Sequence, residues 1–304
     1  MILVDGNNLA FRSFYAFRQL SFEEEHTGTY YGFLGAHARL KAKYGDSFVY
    51  CFDSKESWRK GVYPAYKSKR AEKEEDPEKA NVRTVHIPKL MDVLSLLGYP
   101  VLQYRGLEAD DLLSLQLQSL RKQGASRVYV YSGDRDLYQL LRFRCATILR
   151  PVNGAGVKRY TATSLREEFG VGPELWAKAL ALGVDTSDSI KAIPGVGPTT
   201  AIRMLLLGAD PSRSWEKQPP EFRAKYGKTA AHWDNARLAY KLTKLPTEAE
   251  LVPIPAQDRM ELGALLNSVS MRRNPDPRVR PLFLDFCAQH GLSEFRHDRS
   301  KFLQ

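Results

Sequence analysis

Short runs of β-branched and aromatic residues recur along the first half of the chain, at Ile2–Val4, Phe48–Phe52, Val128–Tyr131 and Ala146–Leu149. Their near-continuous apolar character predicts strands buried on both faces. Between them the apolar positions recur at helical spacing. Tyr30–Tyr44, His86–Leu97 and Asp110–Gln123 are predicted helices, the last with a wide stripe of Leu112, Leu113, Leu115, Leu117 and Leu120. Alternating strands and helices predict an α/β fold with a parallel sheet covered by helices on both faces. In such sheets ligands sit beyond the carboxyl ends of the strands. Three of these strands run into an acid: Asp5, Asp53 and the segment Ser132-Gly133-Asp134-Arg135-Asp136. One such Asp is an ordinary turn residue; three together point to a site on one rim.

Beyond residue 160 the strand pattern fades. Residues 161–245 read as helices joined by turns, with 210–220 as a loop or linker. Asn274-Pro275-Asp276-Pro277 breaks the chain again before a last helical stretch at Pro281–Gln289. Residues 246–304 are expected to add helices that pack back on the core. No internal repeat is visible.

Composition is that of a globular chain, with 43% hydrophobic and 26% charged residues. The net charge of +10 favours a polyanionic partner, because neutralising phosphates releases their counterions. Cys51, Cys145 and Cys287 lie far apart without zinc-ligand spacing, so reduced thiols in a cytoplasmic protein are expected. No signal peptide or membrane span is predicted.

The acids recur beyond the strand ends. Glu108, Asp110 and Asp111 open the leucine-striped helix. One acid suits a helix amino terminus, but three within four residues repel one another unless cations neutralise them. Asp185 and Asp188 form a further pair. The nine together, Asp5, Asp53, Glu108, Asp110, Asp111, Asp134, Asp136, Asp185 and Asp188, are the hard oxygen donors that Mg²⁺ or Mn²⁺ prefer. Two such ions about 3.5–4 Å apart can clamp the attacking and leaving oxygens of a phosphodiester.

Between Asp53 and Glu108, the run Trp58–Arg70 alternates cations with aromatics that can stack on bases. Lys67 and Arg70 stand at helical spacing within it, and the charge run from Lys67 to Lys79 is expected to be solvated. Ile193-Pro194-Gly195-Val196-Gly197-Pro198-Thr199-Thr200-Ala201 places a Gly-x-Gly turn before an apolar helix, Ala201–Leu207, where backbone amides can approach a phosphate. No Gly-Lys-Ser/Thr follows, which argues against a nucleotide P-loop.

Five motifs now stand in order: Leu3-Val4-Asp5-Gly6-Asn7-Asn8-Leu9-Ala10-Phe11-Arg12, Phe52-Asp53, Tyr66-Lys67-x-x-Arg70, Gly106-Leu107-Glu108-Ala109-Asp110-Asp111, and Ser132-Gly133-Asp134-Arg135-Asp136-Leu137-Tyr138-Gln139-Leu140-Leu141. In this the chain resembles the 5′-nuclease, or flap endonuclease, family, over roughly residues 1–245. The resemblance implies a PIN-like nuclease core at 1–160 with a helical arch at about 54–88. It also implies a helix–hairpin–helix-type DNA-binding region at 161–245, leaving a carboxyl-terminal helical extension at 246–304. It implies that the nine acids hold the metal ions and that Arg59, Lys67 and Arg70 bind or polarise the scissile phosphate, with Arg12 near the active site. Lys69 joins the arch contacts to nucleic acid. Gly195, Val196, Gly197 and Thr199 would grip duplex backbone, in many members with a K⁺ ion. The pattern departs at Val184-Asp185-Thr186-Ser187-Asp188-Ser189, which lacks the family's Gly before the first Asp and Asn after the second.

The implied activity is metal-dependent 5′–3′ exonuclease and flap-endonuclease hydrolysis of DNA or RNA-primed DNA near a 5′ end. A stand-alone, phage-like monomer is expected, with replication proteins as further partners. The alternative is a non-catalytic, structure-specific DNA-binding protein that keeps the hairpin. A haloacid-dehalogenase-type phosphatase is disfavoured, because its nucleophile motif needs acids flanking one residue, and Leu3 and Asn7 stand on either side of Asp5.

Overall fold

The computed structural model describes residues 1–68, 76–152, 156–183, 193–247, 250, 256–269 and 279–297. A six-stranded sheet runs in the order β5-β4-β1-β6-β7-β8. Its strands are β1 (Ile2–Asp5), β4 (Phe48–Cys51), β5 (Val101–Leu102), β6 (Val128–Tyr131), β7 (Ala146–Pro151) and β8 (Val157–Tyr160). A separate hairpin pairs β2 (Ser21–Phe22) with β3 (Glu25–His26). The four predicted strands are all present and mutually parallel. The sheet is nonetheless mixed, since β8 runs antiparallel to β7. Both unforeseen sheet strands lie at the edges. The two residues of β5 are too few to show a period, and Lys158 and Arg159 make β8 polar.

The register explains the acidic rim. In the centre of the sheet Asp5 is opposite Cys51 and Val4 is opposite Tyr131, so three parallel strands end level with one another. Asp53 and Asp134 follow within three residues of those ends. Successive side chains alternate between the two faces. Leu3, Val49, Cys51, Val130 and Ile148 pack with the leucine stripe of the helix Ala109–Lys122. Ile2, Val4, Phe48 and Tyr50 pack on the opposite side with apolar residues of the helices Gly6–Ala16, Gly28–Tyr44 and Ile87–Leu96.

These helices are α1 (Gly6–Ala16), α2 (Gly28–Tyr44), α3 (Trp58–Val62), α4 (Pro77–Asn81), α5 (Ile87–Leu96) and α6 (Ala109–Lys122). A π-helical turn, Val82–His86, joins α4 to α5. The predicted helices thus fall on α2, α5 and α6 with ends shifted by one or two residues. Gly6 starts α1 under the ring of Phe52, where an added Cβ would stand 2.3 Å from Cε1. Only a residue without a side chain fits at that depth.

The second half is helical: α7 (Ala162–Phe169), α8 (Pro173–Leu182), α9 (Pro198–Leu206), α10 (Pro220–Tyr226) and α11 (Trp233–Thr243). Its own core gathers Leu182, Ile193, Met204, Phe222 and Trp233. Of the loop or linker expected at 210–220, the structure shows a folded loop. Gln218 is buried, accepts from Asp210 N and donates to Asp210 O, while Trp215 packs its ring edge-on against Trp233. Three more helices follow, α12 (Ala256–Ser268), α13 (Val279–Gln289) and α14 (Ser293–His297). Leu262 and Leu266 join the leucine side of the core, and Phe283, Cys287 and Phe295 join the other. Among the described residues no helix is long and apolar enough to cross a membrane.

Candidate active site

A cleft of about 1760 Å³ opens over the carboxyl rim of the sheet, lined by Asp5, Asp53, Glu108, Asp110, Asp134 and Asp136. Arg12, Arg59, Lys60, Tyr66, Lys67, Arg83 and Arg105 share it, and Leu180, Leu242 and Thr243 come from the helical half. The chain has thus brought residues from all five motifs to one concavity.

Each acid is set by local structure. Asp5 caps α1, its Oδ1 accepting from Asn8 N at 2.9 Å, and its Oδ2 accepts from Ser132 Oγ at 2.8 Å. Burial pushes its carboxyl up to about 7, with Asp53 and Asp134 adding to the effect against the bonds from Asn8 and Ser132. Asp53 Oδ1 accepts from Ala109 N at 2.8 Å, and its own amide donates to Asn7 Oδ1 at 2.9 Å. Burial raises its carboxyl too, and the nearby Glu108 raises it further. Asp134 N donates to Ser132 Oγ, and Asp136 N to Asp134 Oδ1.

The acids that open α6 meet cations. Glu108 Oε1 accepts from Lys67 Nζ at 2.7 Å, and its Oε2 accepts from Arg59 Nη1 at 2.9 Å and from Tyr66 Oη at 3.1 Å. Burial alone would raise Glu108, yet Lys67 and Arg59 outweigh it and hold the carboxyl below the ordinary range. Asp110 moves the other way. Its burial, with Asp111 and Glu108 beside it, raises the carboxyl well above that range despite Arg59. Asp111 is fully buried beneath the cleft and pairs with both terminal nitrogens of Arg59 at 2.8 Å.

The acids expected to hold metal ions come together here, six of them lining the one cleft. In it Lys67 and Arg59 pair with Glu108, Arg59 pairs with Asp111, and backbone amides bond Asp5 and Asp53. Arg59 was expected to bind or polarise the scissile phosphate. It is 1% exposed, with its guanidinium committed to the acids and to Leu242 O. The all-oxygen donor set still suits a hard divalent cation.

Lys67 lines the cleft with φ of +57°, a left-handed conformation uncommon outside glycine. Arg12 reaches Val152 O at 2.8 Å from within the cleft wall. Lys69, Arg70, Asp185 and Asp188 lie outside the described residues. At the Gly-x-Gly turn, Val196 N donates to Ile193 O with Gly195 at φ +75°, and Gly197 precedes Pro198 at the start of α9. Gly195, Gly197 and Thr199 are exposed, and Val196 is partly so. Gly183, at the end of α8, meets the methyl of Ala201 across the turn, where an added Cβ would leave only 3.3 Å.

Sequence reasoning overlooked the asparagines and Ser132 as organisers. Asn8 Oδ1 accepts from Gly133 N and Asn7 Oδ1 from Asp53 N, so this pair ties the end of β1 to both neighbouring strand ends. The signal was present. Two consecutive Asn in the first turn of a helix are poor helix formers and favour local backbone bonding.

The sheet with its acidic rim, basic cleft wall and appended helices is a 5′-nuclease-type α/β fold. T5 5′-exonuclease, solved with divalent zinc ions, superposes with a TM-score of 0.69 at 18% identity, over 88% of this chain and 98% of that one. The catalytic core of Rad2 in complex with DNA substrate gives 0.52 at 15% identity, over 95% and 87%. At the sequence level, the family model for the 5′-3′ exonuclease, N-terminal resolvase-like domain, matches residues 1–170. The 5′-3′ exonuclease of Aquifex aeolicus is 33% identical over 258 residues, 83% of either chain. The chain belongs to the 5′-3′ exonuclease family. Thermostable DNA polymerase I of Thermus aquaticus is also similar, 30% identical over 293 residues, 90% of this chain and 33% of the polymerase. The chain therefore spans about a third of the length of the polymerases it matches.

Proposed function

We propose that the protein is a divalent-metal-dependent 5′-nuclease, acting as a 5′–3′ exonuclease and flap endonuclease on DNA, or RNA-primed DNA, near a 5′ end. The observation that carries this reading is the gathering of Asp5, Asp53, Glu108, Asp110, Asp134 and Asp136 into one cleft with Arg12 and Lys67 on its walls. Family membership, the T5 5′-exonuclease solved with zinc and the Rad2 core solved with DNA substrate support it.

In this reading the six cleft acids hold Mg²⁺ or Mn²⁺, which when bound supply an activated water and charge neutralisation at the phosphodiester. Asp185 and Asp188 are proposed to complete the set. Lys67 leaves Glu108 for the scissile phosphate, Arg12 and Arg70 neutralise neighbouring phosphates, and Lys69 adds a backbone contact. The exposed turn Gly195–Val196–Gly197 with Thr199 offers its amides to the duplex backbone away from the cut, with K⁺ as an added ligand. Residues 161–245 then act as a helix–hairpin–helix-type region. Tyr66 keeps Glu108 oriented once Lys67 departs, because its hydroxyl bonds the other carboxylate oxygen.

The non-catalytic alternative keeps hairpin and basic wall without hydrolysis. It is disfavoured by the six carboxylates of the cleft, whose crowding serves no purpose in a protein that only binds a polyanion. Replacing Asp134 by Ala separates the two. The proposal expects single-turnover cleavage to vanish while DNA binding in chelator persists; near-normal turnover would remove Asp134 from the metal-binding set.

A further inference from the structure

Arg59 is among the largest side chains fully removed from solvent, and four of its five N–H groups donate hydrogen bonds while a nitrogen also faces a third carboxylate. Nε donates to Leu242 O at 2.8 Å. Nη1 donates to Glu108 Oε2 at 2.9 Å and to Asp111 Oδ2 at 2.8 Å. Nη2 donates to Asp111 Oδ1 at 2.8 Å and faces Asp110 Oδ2 at 3.5 Å. The guanidinium also stacks 4.9 Å from the Trp58 ring. Asp111 is equally committed. Its Oδ1 accepts from Arg59, and its Oδ2 accepts from Arg59, from Trp58 Nε1 at 3.0 Å and from Glu108 N at 3.1 Å. Four donors thus already bond Asp111, three of them on Oδ2, and the side chain is wholly removed from solvent, so it is turned away from the open cleft.

We propose that Arg59 and Asp111 form a buried positioning pair, which aims Glu108 and Asp110 into the cleft and ties them to the end of α11, and that neither touches phosphate or metal directly. The tie to α11 runs through Leu242 O, beside Thr243 O, which accepts from Gln139 Nε2. One guanidinium thus joins the first turn of α6, the start of α3 and the last turn of α11. That places the metal-binding side of the cleft and the DNA-binding helices in a common frame. The inference rests on the metal-dependent reading above for its functional consequence, but the pair itself is tested separately.

The experiment is a double-mutant cycle on the full chain with Arg59→Gln, Asp111→Asn and both together. Urea unfolding in EDTA, Mn²⁺ binding by calorimetry and flap-DNA binding in EDTA are measured for each. A buried pair is costly to break from one side and far cheaper to remove whole, so the double variant should recover most of the stability lost by either single one. Mn²⁺ affinity should fall about 10- to 100-fold in Arg59→Gln, the usual cost of losing a group that orients ligands. DNA affinity in EDTA should stay at the wild-type value. Additive stability losses would overturn the pair. So would a drop in EDTA-phase DNA affinity with Mn²⁺ binding intact, which would mark Arg59 as a phosphate contact. Should Arg59→Gln not fold, Arg59→Lys takes its place in the cycle. It keeps the charge but cannot match both oxygens of Asp111, and the same outcomes decide. Failure of the wild-type protein to bind Mn²⁺ would sink the metal reading while the stability cycle still judges the pair.

Discussion

Replacing Asp5 by Asn should make the metal-free protein more stable at alkaline pH while depriving it of cation binding. The unfolded chain releases the Asp5 proton above about 3.8, whereas burial with Asp53 and Asp134 close by keeps it bound in the fold up to about 7. Between those pH values the folded state binds more protons than the unfolded one, so stability falls as pH rises and levels off above 7. A difference of roughly three pH units at 1.36 kcal/mol each amounts to about 4 kcal/mol of destabilisation at pH 8. Asn removes that charge. It retains an oxygen for the Asn8 amide but loses one acceptor toward Ser132, which offsets about 1 kcal/mol. A net gain of about 3 kcal/mol at pH 8 follows, read as a higher urea midpoint in EDTA by roughly 1 M or more. At pH 3.5 the gain should disappear. Adding Mg²⁺ at pH 8 should stabilise the wild-type protein through binding to the folded state alone, and the Asn variant much less. The reasoning is refuted if the variant is less stable than wild type in EDTA at pH 8, or if its gain is the same at both pH values.

Three further outcomes test other parts of the account. Gly6→Ala should cost about 1–3 kcal/mol, because the new methyl meets the Phe52 ring; an unchanged melting temperature would contradict that close approach. His86 is held down to about 4 by burial, then by His26, Lys89 and His290. It therefore contributes stability above its unfolded value of 6.5 that is lost as pH falls toward 4, and His86→Asn should flatten that acid limb of a melting-temperature profile. Lys67→Ala should slow single-turnover cleavage more than it weakens DNA binding; an unchanged rate with collapsed affinity would reduce Lys67 to an electrostatic contact.

Much of the fold was legible because buried parallel strands are apolar throughout. The four parallel strands, three of which lead into the site, all stood out as such runs, and register then set Asp5, Asp53 and Asp134 on one rim without further information. The leucine stripe marked α6 for the same reason. What could not be read was pairing between distant residues. Nothing in the run around Arg59 says that its charge turns inward to Asp111 rather than outward, since the two are 52 positions apart and each looks like a surface group by composition. Antiparallel β8 was missed because an edge strand needs apolar residues on one face only, and Lys158 and Arg159 broke the pattern. The segment 210–220 read as a loop or linker, but nothing in it showed that one buried glutamine would bond its backbone and hold it folded.

The most direct test of the central claim is incubation of the purified chain with a 5′-labelled flap substrate, in Mg²⁺ and in EDTA. The account predicts release of short 5′-labelled products in Mg²⁺ and intact, still-bound DNA in EDTA. Bound but uncut substrate under every divalent cation tried, or cleavage that persists in EDTA, would contradict it.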